Sequence, residues 1–478
     1  MIPMLILAAL QAAPQESRYY RVEPVAQPAE LVLEVSGITL LEDGRPMVCT
    51  RRGEVYIVDN AYGEPGTQPV FHLYAQGLQE PLGLLPHDGW IYVAQRAELS
   101  RMRDTDGDGR MDELETVCDE WRISGNYHEY LFGPVLDRAG NFWVTSNRPF
   151  GDQPFGSVKW RGFAHRINPN GELQPVCAGL RSPCGIATSP EGEIFYSDNQ
   201  GEWCGTSKLS LLEEGMFYGH PWGVDSCKDP LWKFTDPGHP RNEVLMPEVS
   251  KEIPTFRLPA VWFPYDKMGR SPSGFVWDES GGKFGPFAHQ IFIGDQYQSS
   301  VIRVALEKVD GRWQGACFPF RVGLGSGVVR VGWGKDGSLF CGETNRGWGS
   351  LGPKTAGLER LVWSGETPFE ILAMRATAEG FELEFTQAVD PASAADPASY
   401  VFESYTHLLH ETYGSDEVEK KTLHVSAARV APDAKSVRLV LDGRRAGYVH
   451  ELHAKLRNAR GEPLLHEAAY YTLNSIPR

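Results

Sequence analysis

Between residues 104 and 115 the chain sets Asp104, Asp106, Asp108, Gly109, Asp112 and Glu115 in a spacing that puts five carboxylates at the ligand positions of one short loop. The spacing matches the calcium-binding loop, with ligand oxygens from Asp104, Asp106, Asp108, the Arg110 carbonyl, Asp112 and Glu115, and with Gly109 at the sharp turn. Carboxylates this close repel one another unless a hard cation neutralises them. The flanking runs 99–102 and 116–118 read as strands, so the expectation is a calcium-clamped hairpin with a structural role. The competing reading is a solvated acidic loop.

A second candidate lies in Gly125-Asn126-Tyr127-His128-Glu129-Tyr130-Leu131-Phe132-Gly133-Pro134. A neutral imidazole at His128, just ahead of an innermost strand, is placed to accept a hydroxyl proton as hydride leaves the carbon. The alternative is a hydrogen-bonded structural histidine. Trp203, Tyr218, Trp222, Tyr297 and Trp348 have the chemistry for stacking on sugars, although such rings also build cores. Glu129, Asp198 and Asp295 would be the ligands if the chemistry were metal-dependent hydrolysis.

The elements that must position these groups are strands. Six turns centred on Gly44, Gly89, Gly140, Gly192, Gly282 and Gly337 are each followed by a short aromatic or β-branched run, such as Trp90-Ile91-Tyr92-Val93 and Asn141-Phe142-Trp143-Val144. Recurrence at about 50 residues predicts an all-β fold, a six-bladed β-propeller over residues 32–365 whose channel mouth gathers loops from several blades. The wider gap before Gly282 implies an insertion over residues 215–270, rich in Pro, Gly and Trp and expected to cover one face of the channel. From residue 368 the pattern becomes strict alternation, as in Val437-Arg438-Leu439-Val440-Leu441, which predicts a small β-sandwich over residues 368–478 that folds independently.

A formal net charge of −16 and the lack of a basic run argue against nucleic acid as a partner. Residues 1–13 are apolar and end in small residues, which predicts an export signal and a periplasmic or secreted protein; no later stretch is apolar enough to span a membrane. The eight cysteines show no C-x-x-C pair, so haem attachment and zinc knuckles are excluded. Cys184, Cys204 and Cys227 are the expected bridge formers, while Cys49 and Cys341 suit buried strands.

Taken together, the runs "LEDGRPMVCTRRGEVYIVD", "YHEYLFGPVLDRAGNFWVT", "GLRSPCGIATSPEGEIFYSDNQGEW", "EEGMFYGHPWG" and "VVRVGWGKDGSLF" resemble the soluble pyrroloquinoline quinone (PQQ)-dependent glucose and sorbosone dehydrogenases, and among these the propellers of planctomycete-like bacteria. The last part of the chain resembles bacterial Ig-like modules, which implies an accessory role. The first resemblance implies a PQQ cofactor over the channel, His128 as base, Arg181 and Arg330 near the quinone oxygens, calcium on the carbonyls of Gly201 and Glu202, and an electron-acceptor protein as partner. The chain departs from that pattern where Tyr297 replaces a cofactor lysine, Val328 replaces an arginine, Ser182 replaces an asparagine, and His128 lies five rather than eight residues before the Gly-Pro turn. The lysine and arginine losses remove two charge-assisted contacts of about 1.5 to 3 kcal/mol each. The functional expectation is an exported quinoprotein-like dehydrogenase acting on a saccharide or polyol. The alternatives are a non-catalytic saccharide-binding or scaffold propeller and a metal-dependent hydrolase or lactonase.

Overall fold

The computed structural model describes residues 15–150 and 158–478; the expected export segment lies outside them. Six antiparallel sheets are arranged as the blades of a propeller. Blade 1 consists of Val35–Leu40, Pro46–Thr50, Val55–Asp59 and Val70–Ala75, and blade 2 of Leu84–His87, Trp90–Ala94, Leu99–Arg103 and Glu113–Cys118. Blade 3 runs from Leu131–Leu136 through Phe142–Ser146 and Phe163–Ile167 to Leu173–Ala178. Blade 4 pairs Pro183–Thr188, Ile194–Asp198, Ser207–Leu211 and Val261–Phe263. In blade 5, Pro272–Trp277, Ile291–Asp295, Ser300–Val309 and Arg312–Arg321 follow one another. Blade 6 has Val328–Trp333, Leu339–Thr344 and Ala356–Trp363.

All six turn glycines fall in the hairpin joining the first and second strands of a blade, with φ between 74° and 85°. Glycine takes that left-handed conformation without strain, which is why the recurrence marks the blades. The propeller does not begin at residue 32: Tyr20–Pro24 pairs with Ala356–Trp363 and forms the outer strand of blade 6. Closing the last blade with the first strand ties the two ends of the ring by backbone hydrogen bonds and leaves no open sheet there. Tyr20 packs against Phe284 and Phe320, and its hydroxyl donates to the Phe284 carbonyl.

The insertion reaches from blade 4 toward the C-terminal module instead of covering the channel. It carries the fourth strand of blade 4, Val261–Phe263, and a short strand, Val244–Leu245, that pairs with Leu408–Leu409. Of residues 215–270 only Arg270 reaches the channel-mouth cavity.

The C-terminal module has two sheets around a core of Phe381, Phe402, Leu439 and Tyr471. One sheet holds Ile371–Ala376, Gly380–Phe385, Ser436–Leu441 and Val425–Val430. The other, Ala468–Leu473, Tyr448–Ala454, Tyr400–Thr406 and Val418–Leu423, continues blade 5, since Gly315, Ala316 and Cys317 pair with Thr472, Tyr471 and Tyr470. The alternation seen in the sequence is kept, with Val437, Leu439 and Leu441 buried and Arg438 exposed. Independent folding is not what this arrangement offers, because Ala316 and Phe318 of blade 5 belong to the module's core. Buried Arg303 adds a tie, donating to the Ile371 carbonyl at 2.6 Å and the Leu372 carbonyl at 2.9 Å. His466 adds another, with Nδ1 2.6 Å from Glu370 and Nε2 3.0 Å from Glu16. Burial alone would lower His466, but the two carboxylates outweigh it and hold the imidazolium up to about 10.

All eight cysteines are free. The expected bridge formers are packed separately: Cys184 in the first strand of blade 4, Cys204 in the turn before its third strand, and Cys227 in a 3-10 turn of the insertion.

Candidate active site

A cavity of about 330 Å³ opens at the channel mouth, lined by residues in or beside the inner strands of all six blades. His128 is buried in its wall. Its backbone N–H donates to Asn126 Oδ1 at 2.9 Å, and its Nδ1 lies 2.9 Å from the Arg148 carbonyl. A carbonyl can only accept, so Nδ1 carries the proton and Nε2 is left as an acceptor, 3.1 Å from Ser182 Oγ. Burial first, and then the Arg181, Arg148 and Arg161 charges, hold His128 well below the usual imidazole range, against the Arg148 carbonyl bond that favours the charged ring. The Phe150 ring lies flat on the imidazole, 3.3 Å between centroids and 13° between planes. The Arg148 and Arg181 guanidiniums sit 4.6 and 4.8 Å from the same Phe150 ring.

Arg181 is held by the end of an inner strand. Asp198 accepts from the Arg181 and Ser182 N–H groups at 3.1 and 2.7 Å. The Arg181 side chain gives Nε and Nη2 to Glu202 Oε2 at 3.1 and 2.9 Å, and Arg148 Nη2 reaches the same oxygen at 2.8 Å. Burial raises Glu202, but the Arg181 and Arg148 charges overcome it and hold the carboxyl below its ordinary range. Gly201 is the seat of Arg181: a Cβ there would fall 1.9 Å from Arg181 Cζ. The Gly201 carbonyl accepts from Cys204 and Gly414, each at 3.1 Å, so both lone pairs are engaged and the expected calcium carbonyl is not free. Glu202 contributes its side chain to the cavity as an arginine partner.

Arg330 lies across the propeller axis. Its Nη1 donates to the Cys184 and Val329 carbonyls at 2.7 and 2.6 Å, and its Nη2 to the Leu82 carbonyl at 2.9 Å, tying blades 2, 4 and 6. Tyr297 does not line the cavity. Its ring lies 4.1 Å from the Arg270 guanidinium, and the neighbouring Gln296 faces the cavity instead, because successive side chains leave a strand end on opposite sides.

The lining holds six arginines, at positions 51, 148, 181, 270, 330 and 346, against one carboxylate, Glu202, among the described residues. Arg51 shares Glu80 with Arg96, Arg148 shares Glu202 with Arg181, and the hydrogen bonds of the Arg330 side chain among the described residues go to carbonyls. Arg161, fully buried and near enough to act on His128, has no hydrogen-bond partner on any guanidinium nitrogen among the described residues; burial lowers it to about 9. Positive charge is therefore in excess inside a chain whose net charge is −16. The sequence reading missed Arg51 and Arg148 because their spacing from Arg181 carries no motif.

The acidic residues expected of a hydrolase do not converge. Asp198 holds the Arg181–Ser182 turn, Asp295 accepts from the Arg270, Ser271 and Gln298 N–H groups, and Glu129 from Ser124 and Gly125. None of the three lines the cavity. Of the five aromatic candidates only Trp348 does; Tyr218 is buried with its hydroxyl donating to Leu211, and the rings present are Tyr127, Tyr130, Phe132, Phe150 and Tyr413. Tyr413 comes from the C-terminal module, which sequence reasoning had placed outside the chemistry.

The Asp104–Glu115 loop is a hairpin between the third and fourth strands of blade 2, away from this cavity. Asp104, Asp106 and Asp108 each have a carboxylate oxygen within 4.8 Å of the others. Two more of the expected ligands have partners of their own. Asp112 accepts from Thr105 N–H at 2.7 Å and its hydroxyl at 2.9 Å. Glu115 lies opposite Arg101 in the ladder and pairs with it at 2.6 Å. The ladder register, fixed by the strand, turns Glu115 away from the loop.

A family model described as a domain of unknown function, DUF7133, matches residues 50–216. No curated protein matches the chain. Among solved structures, a putative oxidoreductase (glucose dehydrogenase) from Thermus thermophilus is similar at 20% identity and a TM-score of 0.51, over 72% of this chain and 100% of that one. A family AA12 carbohydrate-active enzyme from Trichoderma reesei is similar at 14% identity and a TM-score of 0.50, over 72% and 96%. At these identities the likeness shows the propeller fold. No helix among the described residues is long and apolar enough to cross a membrane.

Proposed function

We propose that the chain is an exported quinone-dependent dehydrogenase that oxidises a sugar or polyol at the channel mouth, with PQQ as cofactor. The observation that carries this reading is the joint placement of a neutral buried His128, its Nε2 free of a backbone partner, beside an excess of guanidinium charge. The donor set fits a planar polycarboxylate. Arg148 Nε has no hydrogen-bond partner among the described residues, and the position of the Phe150 ring between His128 and two guanidiniums supports a slot for a flat group. Arg148 and Arg181 would take carboxylate or carbonyl oxygens of the cofactor and stand in for the absent lysine and arginine. Phe150 would have to turn aside.

The quinone, when bound, supplies the two-electron acceptor for hydride. His128 takes the substrate hydroxyl proton on Nε2 while the Arg148 carbonyl steadies the imidazolium through Nδ1. Ser182 Oγ marks where that hydroxyl would lie. Depressed basicity keeps the ring neutral through mildly acid pH, so the base is ready without prior deprotonation. An electron-acceptor protein would complete the turnover.

A second, separate proposal concerns the blade 2 hairpin: calcium held by Asp104, Asp106 and Asp108, with waters completing the shell and a structural role. Titration of the purified full chain with PQQ in excess calcium, followed by visible absorbance, tests the main reading. Saturable binding at micromolar quinone is expected; none would move the assignment to a saccharide-binding propeller.

A further inference from the structure

Exposed aromatic rings are concentrated at one place. Among the described residues only Tyr127 (60%), Trp348 (46%) and Tyr413 (48%) are exposed aromatic side chains, and all three edge the His128 cavity. They come from the loop ahead of blade 3, the loop after the second strand of blade 6, and the C-terminal module. Rings left in water around a single mouth mark a binding surface, whereas scattered ones would need no explanation.

Tyr413 is the most informative of the three. Its loop is built into the propeller by main-chain bonds: Trp203 N–H donates to the His410 carbonyl at 2.7 Å, Gly414 N–H to Gly201 at 3.1 Å, and Ser415 N–H to Gly205 at 2.8 Å. A Cβ on Gly205 would stand 2.9 Å from both His407 Cβ and the Leu408 carbonyl, so blade 4 is shaped to take this loop. The backbone does the docking, and the Tyr413 ring is left to face the cavity, 5.5 Å from the Arg181 guanidinium.

Charge separates this rim from the interior. Arg346 is paired with Glu34 at 3.0 Å and Arg270 with Asp266 at 2.8 Å, so the rim is balanced while the guanidinium excess lies deeper. A balanced rim of open rings suits the C–H faces of neutral pyranose units. The cavity, about 330 Å³, is small for a cofactor and a whole sugar chain together.

We infer that the rim formed by Tyr127, Trp348 and Tyr413 binds the following units of a neutral oligosaccharide, so that the substrate is the end unit of a sugar chain and not a free monosaccharide. The C-terminal module then serves specificity through Tyr413. This rests on the saccharide reading of the same site.

Calorimetric titration of the full chain, without quinone, against neutral gluco-, xylo-, manno- and galacto-oligosaccharides of increasing length tests it. At least one series should tighten about ten-fold or more from monosaccharide to trisaccharide. Tyr413→Ala and Trp348→Ala should bring the trisaccharide back to monosaccharide affinity with melting temperature and circular dichroism unchanged. No gain with length in any series, or full retention in Tyr413→Ala, would overturn the inference. Quinone binding is measured in parallel. Quinone binding without length dependence removes the rim subsite and leaves the dehydrogenase; length dependence without quinone binding does the reverse.

Discussion

The blade 2 hairpin and the His128 cavity are both dense in ionisable groups, but they solve the problem of like charge differently. In the hairpin, Asp104, Asp106 and Asp108 stand in or near water, which screens their repulsion, and each accepts local backbone N–H bonds. In the cavity the arginines are mostly removed from water, share too few carboxylates, and add to the burial that depresses the basicity of His128. An exposed cluster can exist with or without its counter-ion. A buried one of uncompensated sign implies a ligand much more strongly, because water is not there to do the work.

The largest test of that contrast is His128→Ala. Loss of a general base should lower turnover by about 10² to 10⁴ with quinone affinity nearly kept. In the parent protein kcat/KM should stay flat as pH falls through the ordinary imidazole range, since burial and the guanidiniums hold the folded His128 below it. A decline centred near the ordinary imidazole value would mean that this group is not the base. Next in size, Arg148→Ala or Arg181→Ala should weaken quinone binding by about 10- to 150-fold, the equivalent of one charge-assisted contact. Equal affinity in both variants would place the ligand elsewhere.

Asp106→Ala combined with Asp108→Ala should remove most of any calcium-induced rise in melting temperature, which at 100 times the dissociation constant corresponds to about 2.7 kcal/mol. Quinone titration should be untouched, so a loss of both would show the two regions to be coupled. The smallest effect expected is a pH drift of stability from the His466 clasp. Its folded pKa is raised, to about 10, so its contribution is whole below the unfolded imidazole value and fades as pH climbs through the folded one. The melting temperature should therefore fall by a few degrees between pH 7 and 10, and His466→Gln should flatten that slope.

Much of the blade architecture was legible because a propeller repeats. Each Asp-Gly or Gly turn needs a left-handed residue, each second strand needs apolar or β-branched side chains, and both signals are local. His128, Arg181 and Arg330 were found through their neighbours in sequence. Arg51 and Arg148, from loops of blades 1 and 3, and Tyr413, from the C-terminal module, line the same cavity, and nothing within a short window of sequence relates them. Glu115 failed for the opposite reason: its spacing was right, and the ladder opposite Arg101 turned it away.

By itself, then, the order of residues determined the six hairpins, the all-β class, the acidic hairpin and a histidine at the head of an inner strand, all properties of short stretches whose conformation is set by turn sterics and side-chain alternation. Tertiary structure alone decided that the first strand closes blade 6, that blade 5 continues into the C-terminal module, and that six arginines line one cavity with a neutral imidazole in its wall. Those outcomes depend on which surfaces exclude water together, a condition set by the whole ring of blades and by no one segment.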